Sequence, residues 1–407
     1  MRELRYVILA IVLITSACST SNVTNDFVSS PAPLPPLETL SSITSTLTPT
    51  AKSTHYQEPV LVTKFVFPSD YLEINDLYFT DDDTGWAVGR LDWYDDSISS
   101  IRCCKPIIFN TTDGGRNWKE IDAGIFSGIL NSIVFVDWMT AYAVGQEYIY
   151  GIDPAFTPNT IILKTTDSGA SWVQVGEKQM SGALLQVITT NDRNIWSVGF
   201  GLDGPQSLIL RSADGLSWKV QKHPSEIGGK LIAVDFPSDK VGYAVGYIGL
   251  SDAAPYIIKT IDGGENWEVL SFPSIFGRLL DVAFLDESTG YVIGQFSETS
   301  SIAITNDGGE SWTFKNLEPD IEPSWLTESS NRFVIIGNCW HLEACNNLIG
   351  LFDGNDFYSF ETLALPTETI TAVGNPMADG SIIFFTNTKP ETWDAKYETT
   401  FYRYNVP

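Results

Sequence analysis

Thr111-Thr112-Asp113-Gly114-Gly115-Arg116-Asn117-Trp118 decides the fold, because the chain repeats it. Copies run from Thr165 to Trp172, Ser212 to Trp218, Thr260 to Trp267 and Thr305 to Trp312, and a worn copy runs from Leu351 to Phe357. Their aspartates are Asp113, Asp167, Asp214, Asp262, Asp307 and Asp353, spaced by 54, 47, 48, 45 and 46 residues. A fixed period of that size marks an array of stacked modules.

Each box reads as a hairpin turn. An apolar run such as Thr160 to Leu163 enters it and another, Trp172 to Val175, leaves it. Its glycines suit the φ > 0 positions of a tight turn. Its aspartate suits bonds from the turn's own N–H groups, and its tryptophan returns apolar surface to the core. The alternative is that these aspartates are catalytic or bind calcium. One residue type at one turn in every module favours the structural role.

Upstream of each box lie two more runs. In the second module these are Leu130 to Val136 and Ala141-Tyr142-Ala143-Val144-Gly145, and related strands start at Trp86, Trp196, Tyr243, Tyr291 and Val334. Four antiparallel strands per period are propeller blades, and no long stretch shows helical periodicity. Six blades carry a box or its remnant. Ile370 to Val373, Ser381 to Thr386 and Phe401 to Tyr404 supply three strands of a seventh. Its fourth is expected from Val60 to Phe67, so that both ends of the domain close the ring and leave no free sheet edge. The fold class expected is therefore all-β: a seven-bladed β-propeller of four-stranded antiparallel blades, preceded by a signal peptide and a disordered tether.

The N-terminal part has a different character. Arg2 and Arg5 precede an apolar run from Tyr6 to Ile14, then Thr15-Ser16-Ala17-Cys18. This is the layout of a secretory signal, and a cysteine directly after small residues resembles a bacterial lipobox. The resemblance implies cleavage before Cys18 and lipid on that residue. An uncleaved anchor or an ordinary signal with an incidental cysteine are the alternatives, and the run is short for a membrane span. Residues 18–57 are rich in Ser, Thr and Pro, too poor in large apolar groups to fold, and read as a tether. The expected organisation is 1–17 signal peptide, 18–57 lipidated cysteine and tether, and 58–407 propeller. That places the domain outside the cell or in the periplasm, held to a bacterial membrane only through lipid.

The formal net charge of −26 opposes binding to nucleic acid or to an anionic bilayer surface. Cys339 and Cys345 flank a five-residue loop and, in an exported chain, are expected to form a disulfide. The adjacent Cys103 and Cys104 suit either a vicinal bridge or free thiols. A zinc site of these four cysteines with His341 is the alternative, but the two pairs fall in different modules. No metal and no cofactor are expected.

Boxes of the form S/T-x-D-G-G-x-x-W, joined to Trp86-Ala87-Val88-Gly89 and Tyr243-Ala244-Val245-Gly246 strands, resemble the Asp-box (BNR) propellers. The pattern is similar to that of the photosystem II stability and assembly factor family. The resemblance covers about Glu58 to Pro407 and implies the propeller fold and a non-catalytic binding or assembly role. Sialidases, xyloglucan-cleaving hydrolases and sortilin-type receptors use the same box, so the box specifies fold rather than activity.

Two functions are weighed. The first is a binding module for an envelope protein or glycan, monomeric, acting through loops on the face opposite the boxes. Trp93, Tyr94, Tyr148, Tyr150, Trp340 and Trp393 lie in those loops. The alternative is a glycoside hydrolase, for which Asp76 and Asp281, at one place on the inner strands of two blades, are the candidate carboxylates. A sialidase would need three convergent arginines, and no such triad is visible.

Overall fold

The computed structural model describes the chain from 60 to 405. Outside the described residues lie 1–59, 67–70, 96–99, 148–157, 177–180, 202–206, 223–228, 250–252, 274–276, 297–298, 317–320, 330–331, 340–346, 353–356, 364–367, 378, 389–397 and 406–407. Twenty-eight strands, numbered in chain order, form seven antiparallel four-stranded sheets. Blade one is β2 (Tyr71–Phe79), β3 (Gly85–Asp95), β4 (Ser100–Thr111) and β5 (Lys119–Ile121), from the centre outward. The inner strands of blades two to six are β6 (Ile129–Phe135), β10 (Gly182–Thr189), β14 (Gly229–Asp235), β18 (Gly277–Phe284) and β22 (Ile321–Ser329).

The seventh blade is built from both ends of the domain. β26 (Glu368–Val373), β27 (Ile382–Thr388) and β28 (Glu398–Tyr404) are followed in space by β1 (Val60–Val66). β1 pairs antiparallel with β28, Val60 opposite Arg403 and Val66 opposite Glu398. A parallel bridge from Leu77 to Gly374 joins blade seven to blade one. Closure removes the edge that an open sheet would present.

The outer strand of blade two is shorter than its apolar run suggests. β9 is only Val173–Gln174, because Trp172 leaves the ladder and buries its ring in the core between blades one and two. Burying such a side chain contributes about 1.5–3 kcal/mol.

Both halves of the repeated signature have a steric cause. Each inner strand carries a register shift, as between Leu231 and Ala233. The glycine of Tyr243-Ala244-Val245-Gly246 faces that irregularity, and a Cβ there would lie 1.8 Å from the Lys230 carbonyl oxygen. In the boxes of blades two, three and four, the glycine three residues before the tryptophan meets the first aromatic of the preceding blade's second strand: Gly169 meets Trp86, Gly215 meets Tyr142 and Gly264 meets Trp196. At Gly264, φ is +84° and a Cβ would lie 2.0 Å from the buried Trp196 ring. One residue thus serves the turn and the blade interface together.

Candidate functional site

The box carboxylates bond their own turns. Asp113 Oδ1 accepts the Asn117 N–H at 2.8 Å, Asp167 Oδ1 that of Ser171 at 2.9 Å, and Asp307 Oδ1 that of Ser311 at 2.9 Å. Asp262 Oδ1 accepts the Asn266 N–H at 2.9 Å and its Oδ2 the Asn266 side-chain amide at 2.8 Å. The shorter third box places Asp214 Oδ1 at 2.8 Å from the Leu216 nitrogen and 2.7 Å from that of Ser217. Backbone and side-chain donors on Asn266 hold Asp262 down at about 2, and Ser171 does the same for Asp167. Every box tested this way spends its carboxylate on its own backbone. Asp353 lies outside the described residues.

Asp76 and Asp281 are half-buried on the inner strands, just past the register shift. At that place, residues of blades one, two, three and five staple the blade to the next. Asp76 Oδ2 accepts the Ile133 N–H at 2.9 Å, Ser132 Oγ that of Val187 at 3.2 Å, and Gln186 Oε1 that of Val234 at 2.7 Å. Asp281 Oδ2 accepts the Leu326 N–H at 2.9 Å. Blades four, six and seven carry Ala233, Trp325 and Ala372 at this place, none of which supplies an acceptor there; Asp235 of blade four and Asn375 of blade seven instead accept the N–H groups of Phe284 and Phe79 in the blade that follows. Each aspartate uses its second oxygen on its own strand: Asp76 Oδ1 takes Leu77 N–H at 2.8 Å, and Asp281 Oδ1 takes Val282 N–H at 2.9 Å. Two acceptors are needed there, and a carboxylate supplies two. Burial pushes Asp76 up to about 6 and Asp281 up to about 7, the latter aided by the charges of Asp235 and Asp76.

Blade one differs from the others at the face opposite the boxes. β3 and β4 have 11 and 12 residues, whereas their counterparts β7 (Ala141–Glu147) and β8 (Asn159–Thr165) have 7 each. The extra pairs include Trp93 with Arg102, Tyr94 with Ile101 and Asp95 with Ser100. At about 3.3 Å per residue the hairpin runs on for roughly 13 Å. Trp93 and Tyr94 are consecutive positions of β3, and Tyr148, Tyr150, Trp340 and Trp393 lie outside the described residues.

Cys104, on β4, is buried and disulfide-bonded, which corrects the free-thiol alternative and removes Cys104 as a thiolate ligand for zinc. Cys339 ends β23 (Arg332–Cys339), while Cys345 and Cys18 lie outside the described residues.

The repeat reading missed two features. Trp138, in the turn after β6, is 73% exposed and stands in a cleft with Tyr78, Phe135, Pro376 and Met377 on the box face. The second is a row at the other face, formed by one residue near the start of each inner strand. Lys230 packs over Phe200 of blade three, Arg278 over Tyr247 of blade four, and Glu322 accepts Gln295 Nε2 of blade five at 2.9 Å. Glu73 and Arg90 hold the same register on blade one. Superposing the repeats would have placed Glu73, Lys230, Arg278 and Glu322 in one column.

Ring, staples and boxes together define a closed seven-bladed β-propeller. No protein-family model and no curated protein sequence matches the chain. Its fold is similar to that of YCF48 from Cyanidioschyzon merolae, with a TM-score of 0.51 at 13% identity over 84% of this chain and 98% of that one. A GH74 xyloglucanase from Xanthomonas campestris aligns with a TM-score of 0.49 at 13% identity, over 82% of this chain and 59% of that one. A protein of unknown function from Dyadobacter fermentans aligns at 0.47 and 11% identity, over 86% and 99%. At these identities the likeness concerns fold alone.

Proposed function

We propose that the chain is a non-catalytic binding or assembly module, exported and held to a membrane by lipid on Cys18, that meets an envelope protein or glycan on the face opposite the boxes. The observation that carries this reading is the elongated β3–β4 hairpin, which takes Trp93 and Tyr94 beyond the length of the neighbouring blades. A two-stranded arm of aromatic residues is a recurrent way to reach a partner, since aromatics carry much of the energy of recognition.

The hydrolase reading has one observation in its favour. Asp76 and Asp281 are raised into the range useful for a general acid. Against it, both oxygens of each carboxylate already accept backbone N–H groups. The test is a pull-down from the source envelope with wild type and a Trp93→Ala/Trp340→Ala double variant. Loss of partners from the variant supports the arm and its face. Equal recovery by both chains rejects them.

A further inference from the structure

The turns joining the first and second strands of blades one, two, four and five share one frame. A side chain at the start of the turn accepts the N–H groups two and three residues ahead. Asp81 Oδ1 takes those of Asp83 and Thr84, Asp137 Oδ1 those of Met139 and Thr140, Ser238 Oγ those of Lys240 and Val241, and Asp286 Oδ1 those of Ser288 and Thr289. The carbonyls of Asp83, Met139, Lys240 and Ser288 each accept an N–H from the box of their own blade. The capping residue and the backbone therefore hold the turn, whatever side chains stand at its tip. Blades one, four and five carry Asp82-Asp83, Asp239-Lys240 and Glu287-Ser288 there. Blade two carries Trp138-Met139, 73% and 38% exposed. The fold does not ask for an apolar pair at that place.

Trp138 borders a cleft of about 480 Å³ with Tyr78, Phe135, Pro376 and Met377, in which Tyr78 stacks on Phe135 with ring centroids 5.4 Å apart. A cleft of that size lies in the range that takes up ligand groups. Its edge is acidic. Asp81 and Asp137 line it, and Asp82 and Asp83 stand exposed beside Asp81. Arg193 offsets part of the Asp137 charge, and Arg116 stands with Asp82 and Asp83, which leaves four carboxylates against two cations.

We infer that this cleft is a docking site for a segment of a partner protein that carries an aromatic or aliphatic side chain next to a lysine or arginine. The apolar side chain enters the cleft and removes the Trp138 ring from water. The cation meets the Asp81–Asp83 tip by charge and the indole face by cation–π attraction. A second copy of this chain is a poor occupant, since two molecules of formal charge −26 repel each other. The cleft lies on the box face and does not depend on the blade-one arm binding a partner.

The test is selection from a random-peptide display library on the full chain, followed by calorimetry with the selected peptides. Peptides enriched in lysine or arginine beside aromatic residues or leucine are expected. Trp138→Ser should weaken them about tenfold and Asp82→Asn/Asp83→Asn about threefold, the second loss shrinking in high salt, while Trp138→Phe retains binding. Trp138→Ser should also keep the wild-type unfolding temperature, because Asp137 holds the turn. A lowered one overturns the premise that the fold has no need of the ring. Trp93→Ala should bind the peptides as wild type does, and loss there moves them to the other face and overturns the cleft. No enriched peptides, peptides without basic residues, or equal binding by wild type and Trp138→Ser overturns the inference, as does a wild-type dimer that Trp138→Ser dissociates.

Discussion

Replacing Asp281 by asparagine separates the two demands this residue meets. Its carboxylate accepts the N–H groups of Val282 and Leu326, each at 2.9 Å, in a half-buried setting. Asparagine keeps one acceptor oxygen and turns an NH₂ group toward the other N–H. A buried N–H left without an acceptor costs about 1–3 kcal/mol. Against this stands the ionisation of the wild-type side chain. Burial lifts its pKa from 3.8 to about 7, so the folded chain holds the proton to higher pH than the unfolded chain. Stability therefore falls as pH rises from about 4 to about 7 and then levels, by as much as ~4 kcal/mol from this group. Asparagine pays nothing for ionisation. Asp281→Asn should thus be less stable than wild type at pH 5 by about 1–3 kcal/mol and lose that deficit, or reverse it, by pH 8. Asp281→Ala forfeits both acceptors and should cost about 2–6 kcal/mol at pH 5. Urea unfolding of the three chains at pH 5 and pH 8 measures this. A wild-type-to-asparagine difference that is the same at both pH values would refute the desolvated carboxylate, and an unchanged stability at pH 5 would refute the staple.

The boxes carry further expected outcomes. Gly264→Ala combines a positive φ with a Cβ placed 2.0 Å from Trp196, and should cost about 2–5 kcal/mol; Ser168→Gly, which relieves a non-glycine φ of 57°, should be neutral or stabilise by about 0.5 kcal/mol, both by thermal unfolding. Acid should unfold the ring as pH falls from about 4 toward about 2, because Asp167, Asp262 and Asp307 are held at about 2 by donors that the unfolded chain lacks; Asp262→Ala should unfold at lower temperature at pH 7 and lose less on acidification, and an identical acid limb for both chains would count against these bonds.

The sequence by itself determined the ring. A box every 45 to 54 residues is a local device: turn glycines, a carboxylate reaching four residues ahead and a tryptophan returning inward all act within one hairpin. Local rules are written in local spacing, so the period, the four-stranded blade and the closing role of Val60 were legible, and β1 pairs with β28 accordingly. The roles of Asp76 and Asp281 were not. Seen alone, two half-buried aspartates suggest catalysis. Their partners in the next blade, Ile133 for Asp76 and Leu326 for Asp281, lie 57 and 45 residues further along the chain. Tertiary structure decides such cases because hydrogen-bond supply and charge are balanced between blades, across distances that no local pattern in the chain records.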